Sequence, residues 1–165
     1  MELPERKRNR LPRYDYSAAG AYFITICVHE KKNRLCRIVG DGSPVPKLPG
    51  IVSESFIRKI PEKYPSARVD KYVVMPNHIH MILFLEDRGT GNPFPTVGNI
   101  IGWFKYQVTK QVNAAAETPG NRLFQRSFHD HVIRGEKDYA MIWKYIDNNP
   151  ASWADDCFFV AEPQR

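Results

Sequence analysis

Residues 69–85 read VDKYVVMPNHIHMILFL. Two runs rich in β-branched, aromatic and other apolar side chains, 69–75 and 78–85, flank Pro76 and Asn77, which are turn formers. The spacing predicts a β-hairpin, and a hairpin pairs its strands antiparallel. Upstream, residues 21–28 (AYFITICV) have the composition of a strand covered on both faces, and 35–39 is placed to pair with it as a second hairpin. Two glycines before Ser43 and three prolines make 40–50 an irregular loop. Val52, Phe56 and Ile60 then recur at four-residue steps with Ile57 beside them, so 51–63 reads as an amphipathic helix, stopped by Pro65. Downstream of the hairpin, 86–95 is a glycine and proline loop. Val97, Ile100, Ile101, Phe104, Val108 and Val112 follow helical spacing, 114–122 reads as a loop, and 128–134 as a strand. A last helix, 136–149, is closed by Pro150, and the residues after it show no pattern. The order contains no repeated βαβ units. It predicts an α+β fold, an antiparallel sheet with helices mainly on one face, in a single domain spanning 1–165.

Lys plus Arg outnumber Asp plus Glu by 24 to 18, a formal charge of +6, which favours a polyanionic partner such as nucleic acid. Arg6, Lys7, Arg8, Arg10 and Arg13 crowd residues 1–13 into a basic N-terminal arm, read either as a phosphate-contacting segment or as a solvated tail. Three cysteines with no C-x-x-C pair indicate neither a disulfide framework nor a thiolate zinc site. The first residues carry charge with no apolar segment after them, and no stretch has the length and purity of a membrane span. The expected location is the cytoplasm, with no membrane partner.

The chemistry-bearing residues start with His78 and His80. Side chains alternate along a strand, so both imidazoles point to one face with roughly 6.5–7 Å between their Cα atoms, within reach of one metal ion, while Ile79 points to the other. The motif alone is weak, since His129 and His131 repeat it. On the last helix Tyr139, Ile142, Trp143 and Ile146 form an apolar stripe, with Asp138, Tyr145 and Asn149 in a column on its flank. Tyr145 reads either as an edge-of-core tyrosine or as a reactive hydroxyl. Asn149 lies one turn on, where its amide oxygen could complete a metal shell, although a residue before proline is pushed out of helical geometry. For nucleic acid, Trp103, Tyr106 and Lys110 share one side of the 97–113 helix, Lys105 adds charge, Arg126 and Arg134 bracket the 128–134 strand, and Arg13 with Tyr14 ends the basic arm.

The segments YVVMPNHIHMIL (72–83), IIGWFKYQVTKQVN (100–113), FQRSFHDHVIR (124–134) and YIDNNPASW (145–153), with LPRYDYSAAGAYFITICV (11–28), resemble the IS200-type single-tyrosine transposases. The resemblance is closest to the branch associated with repetitive extragenic palindromes (REPs). It implies the HUH nuclease fold, an antiparallel sheet with helices on one face. It also implies a divalent metal, Mg²⁺ or Mn²⁺, held by His78, His80 and Asn149, with Tyr145 as nucleophile; His129 and His131 fall outside the metal motif, and His131 reads as a supporting or DNA-contacting residue. A related transposase group carries glutamine at the position of Asn149. The implied reaction is cleavage and rejoining of single-stranded DNA with hairpin or palindromic sequence, through a 5′-phosphotyrosine, by a monomer or a homodimer. Two other classes compete: a nucleic-acid-binding module without catalysis, and a metal-dependent nuclease in which water attacks.

Overall fold

In the computed structural model, which describes residues 10–87 and 95–162, the hairpin at 69–85 forms half of a four-stranded antiparallel sheet. Its strands are β4 (Ala67–Val74) and β5 (His78–Leu85), and the sheet continues through β1 (Gly20–Cys27) to β6 (His129–Val132), in the order β4-β5-β1-β6. The 3.6-residue periodicity yields α1 (Leu48–Lys63) and α2 (Val97–Ala116), and the last helix is α3 (Gly135–Asn148). The expected α+β architecture is present.

Strand alternation builds the core. Tyr22, Ile24, Ile26 and Val28 on β1 and the turn after it, and Ile79, Met81, Leu83 and Leu85 on β5, face one side. They meet Val52, Phe56, Ile57 and Ile60 of α1 and Ile100, Ile101, Phe104, Val108 and Val112 of α2. Each such side chain, fully buried, contributes on the order of 1.5–3 kcal/mol against exposure. The long helices thus cover one face of the sheet and pack on each other, whereas α3 crosses the opposite face over β4 and β5. Among the described residues of α3 only Ile146 is buried, so the Tyr139, Ile142, Trp143, Ile146 stripe is not the core face that periodicity suggested.

Three expectations are corrected. Segment 35–39 does not pair with β1, because both edges of β1 are taken, by β5 and by β6. Instead β2 (Cys36–Ile38) forms a two-stranded ribbon with β3 (Pro44–Pro46), inside what read as loop. Its prolines suit a short edge strand that owes few ladder hydrogen bonds. α1 begins at Leu48 with Pro49 in its first turn, where a missing N–H costs nothing. α2 runs on through Ala114, Ala115 and Ala116, since alanine is the best helix former, and stops at left-handed Glu117 (φ 53°). Its start is set by Thr96, whose Oγ1 accepts from the Asn99 N–H at 3.1 Å while the Asn99 amide oxygen accepts from the Thr96 N–H at 3.1 Å. Arg6, Lys7 and Arg8 of the basic arm lie outside the described residues. No helix among the described residues is long and apolar enough to cross a membrane.

Candidate metal centre and nucleophile

Pairing of β1 with β5 sets Thr25 opposite His80 and Cys27 opposite His78, on the face away from the core. Both histidines are nevertheless buried, 0% and 2% exposed, because α3 and the chain after it cover them. The Nδ1 atom of His80 lies 2.8 Å from the Thr25 hydroxyl, and Nδ1 of His78 lies 2.9 Å from Oδ1 of Asn77. Asn77 is itself oriented: its Nδ2 donates to the carbonyls of Lys31 and Phe158, at 3.2 and 2.7 Å. Its Oδ1 therefore accepts, His78 Nδ1 carries the proton, and His78 Nε2 presents a lone pair. Neither His78 Nε2 nor His80 Nε2 has a hydrogen-bond partner among the described residues. Burial pushes the His78 pKa down to about 4, opposed by the charge of Asp156, and burial with the neighbouring His78 pushes His80 well down too. Both rings are neutral at pH 7, the state that binds a metal.

The chain beyond α3, unassigned from sequence, supplies the rest. A 3-10 turn at Trp153–Asp155 brings back Asp156, and the ligand atoms of His78, His80 and Asp156 all lie within 4.8 Å of one another. The Asp156 carboxylate accepts from the Phe158 N–H at 2.7 Å and from Nδ2 of Asn149 at 2.8 Å. That bond turns Oδ1 of Asn149 away from Asp156, where it too is buried without a hydrogen-bond partner among the described residues. Asn149, 3% exposed, keeps helical angles (φ −59°, ψ −43°) in spite of Pro150, so the side chain is not redirected by the proline. Three buried polar atoms without partners beside one carboxylate, His78 Nε2, His80 Nε2 and Asn149 Oδ1, are costly to leave unsatisfied. Two imidazoles, an amide oxygen and a carboxylate suit a divalent cation such as Mn²⁺ or Mg²⁺.

Tyr145 stands beside this cluster, its ring 5.3 Å from that of His80 and 6.1 Å from Phe23 in an edge-on contact. It is 44% exposed and borders a cleft of about 380 Å³ with Met141, Lys144, Asn148, Asn149 and Ser152. Partial burial, then the charge of Asp156, raises its pKa, against the lowering influence of Asn149. The Phe158 ring, 4.6 Å from His78, closes the other side.

The nucleic-acid candidates divide. Tyr106, 61% exposed, Lys110 and Arg126 line a groove of about 480 Å³ that also takes in Arg122 and Gln125. Lys105 lies in its wall, with its ammonium on the carbonyls of Arg126 and Ser127 at 3.0 and 3.3 Å and its pKa lowered to about 8 by burial. Trp103 is packed edge-on against Phe56 and Tyr64, in the α1–α2 contact. Tyr14 packs with Tyr16 and Tyr22, and Arg13 is exposed at a positive φ of 64°. His131 bonds Asp138 at 2.8 Å, and the exposed Arg134 caps the start of α3. The residues missed from sequence are Thr25, Asn77 and Asp156. The first two look like ordinary strand and turn residues, and Asp156 lies in a segment without periodicity.

No protein-family model matches the chain. It is 34% identical over 174 residues to an uncharacterized protein of Haemophilus influenzae, covering 96% of this chain and 95% of that one. It is 26% identical over 147 residues to a second H. influenzae protein, named provisionally as a REP-associated tyrosine transposase, covering 84% and 74%. Among solved structures, that of a REP-associated tyrosine transposase bound to a REP hairpin superposes with a TM-score of 0.56 at 22% identity, covering 87% of this chain and 73% of that one. The chain thus has the fold of a REP-associated tyrosine transposase and is similar in sequence to a protein so named.

Proposed function

We propose that this protein is a DNA-processing enzyme that cleaves and rejoins single-stranded DNA at hairpin-bearing sites, with Tyr145 as the nucleophile. The observation that carries the reading is the convergence of unpartnered His78 Nε2, His80 Nε2 and Asn149 Oδ1 with Asp156, next to a half-exposed tyrosine. In that reading His78, His80 and Asp156 hold a divalent cation, with Asn149 as a further oxygen ligand. The cation supplies positive charge to the scissile phosphate and to the attacking oxygen. Thr25 and Asn77 hold the imidazoles in register, as outer partners do in metal sites. With its pKa raised, the Tyr145 hydroxyl is protonated at neutral pH and releases its proton as it attacks. The new bond joins its oxygen to phosphorus as the bond to the 3′-oxygen breaks, leaving a 5′-phosphotyrosine and a free 3′-hydroxyl. A 3′-hydroxyl attacking the phosphotyrosine restores a phosphodiester and the tyrosine, so joining needs no nucleotide cofactor. The relative bound to a REP hairpin supports hairpin DNA as substrate.

The test uses wild type and Tyr145→Phe with labelled hairpin-containing single-stranded DNA, with Mn²⁺ or with chelator, on a denaturing gel. A slow-migrating covalent adduct is expected for the wild type with metal only. Equal cleavage by both proteins without an adduct would transfer the reaction to water, and binding without cleavage would leave a binding module.

A further inference from the structure

α3 carries Tyr145, yet it offers the sheet one buried apolar side chain, Ile146. What fixes its rotation is found on β4. The β4–β5 register shifts between Val69, opposite Leu83, and Lys71, opposite Ile82, which leaves Asp70 as an extra residue in a β-bulge. In a regular strand Asp70 and Lys71 would face opposite sides. Here both reach α3. The Asp70 carboxylate accepts from the Tyr139 hydroxyl at 3.0 Å and from Nε of Arg68 at 2.7 Å. The Lys71 ammonium donates to Asp147 at 2.6 Å and lies 4.9 Å from the centre of the Trp143 ring. Tyr139, Trp143 and Asp147 are spaced by four and form a line along α3, so β4 grips the helix at three successive turns. Tyr145, on the other flank, is thereby turned toward His80 and Phe23.

We infer that Asp70 and Lys71 are positioning residues: the bulge on β4 is a polar clamp that sets the roll of α3 and so the placement of Tyr145 at the metal cluster. The inference rests on the proposed function for its catalytic consequence and on geometry alone for its structural one. The variants are Lys71→Met, Asp147→Asn, and the charge-exchanged Lys71→Asp with Asp147→Lys. Two readouts are taken: amide exchange along α3 without DNA, and the single-turnover rate of adduct formation at saturating DNA. Each single variant is expected to exchange faster in α3 but not in β5 or α2, and to form adduct about tenfold more slowly with DNA affinity within twofold of wild type. The charge-exchanged pair should recover most of both. Because Asp147 is 62% exposed, its variant leaves the fold intact if Lys71→Met does not. Unchanged α3 exchange in Asp147→Asn, or no recovery in the exchanged pair, would overturn the clamp. Absence of adduct in the wild type, with faster α3 exchange in the variants, would instead overturn the nuclease reading and leave the clamp standing.

Discussion

His78 and His80 are candidate metal ligands because of what is not bonded to them: each ring has its Nδ1 engaged and its Nε2 without a partner among the described residues. Their titration gives a test independent of DNA. In the unfolded chain both rings take up protons near their usual pKa of about 6.5; folded, His78 does so only near about 4, and His80 is also held well below. Between those values the unfolded state binds more protons, so stability is full above pH 6.5 and falls as pH drops toward 4. Each pH unit in that window costs on the order of 1 kcal/mol. Thermal denaturation in chelator should therefore show a melting temperature lower at pH 5 than at pH 7, and His80→Gln should flatten that slope. A flat wild-type profile would mean that the rings are not held neutral. Asp156 has its own test. Asp156→Asn keeps an acceptor for the Phe158 N–H but removes the negative charge, and should weaken Mn²⁺ binding at least about tenfold by calorimetry. Unaltered affinity would remove Asp156 from the ligand set.

At the scale of elements, the hairpin, the helices and the histidine face were legible because each rests on a local periodicity. What was not legible depends on which edges are already occupied. Nothing within residues 35–39 reveals that both edges of β1 are taken, and nothing within 155–158 reveals that the chain returns to the histidines. α3 misled for a related reason: its stripe has the period of a core helix, but it meets Asp70 and Lys71 rather than an apolar surface. Gly50 makes the same point where two elements touch. It sits in the first turn of α1, where alanine would gain about 1 kcal/mol in helix propensity. A Cβ there would overlap the carbonyl oxygen of Leu35, which accepts from the Lys47 N–H at 2.9 Å; the Leu35 N–H in turn donates to Pro76 in the β4–β5 turn. Relief of that overlap must move backbone, at a cost of about 1–3 kcal/mol. Gly50→Ala is expected to lower the urea midpoint, and a raised midpoint would show that the backbone there yields freely.

For the molecule as a whole, the net charge of +6 is useful only where it is not already spent. Arg68 is paired with Asp70 and Glu86, Lys71 with Asp147 and Lys47 with Glu162, while Lys105 bonds carbonyls and Arg10 lies 4.8 Å from the centre of the Phe128 ring. Lys110, Arg122 and Arg126 differ: they line one groove with Tyr106, and none makes an ion pair among the described residues. The groove flanks the end of β1, where Phe124 bridges to Val28 and the Gln125 N–H donates to Cys27, the residue opposite His78. Two strand spacings, roughly 10 Å, separate that edge from the histidine strand. In the proposed reading, a nucleic acid strand leaving Tyr145 would pass this edge of the sheet to meet the cationic groups and the Tyr106 ring. Every phosphate that the protein no longer neutralises should reduce the slope of log affinity against log salt by about 0.7–0.9. Arg122→Ala with Arg126→Ala is thus expected to weaken hairpin DNA binding and to lower that slope by between one and two, read by fluorescence anisotropy across a salt series. Tyr106→Ala should weaken binding with the slope unchanged, because stacking releases no counterions. If the double arginine variant kept the wild-type slope, the DNA backbone would have to follow another path from Tyr145.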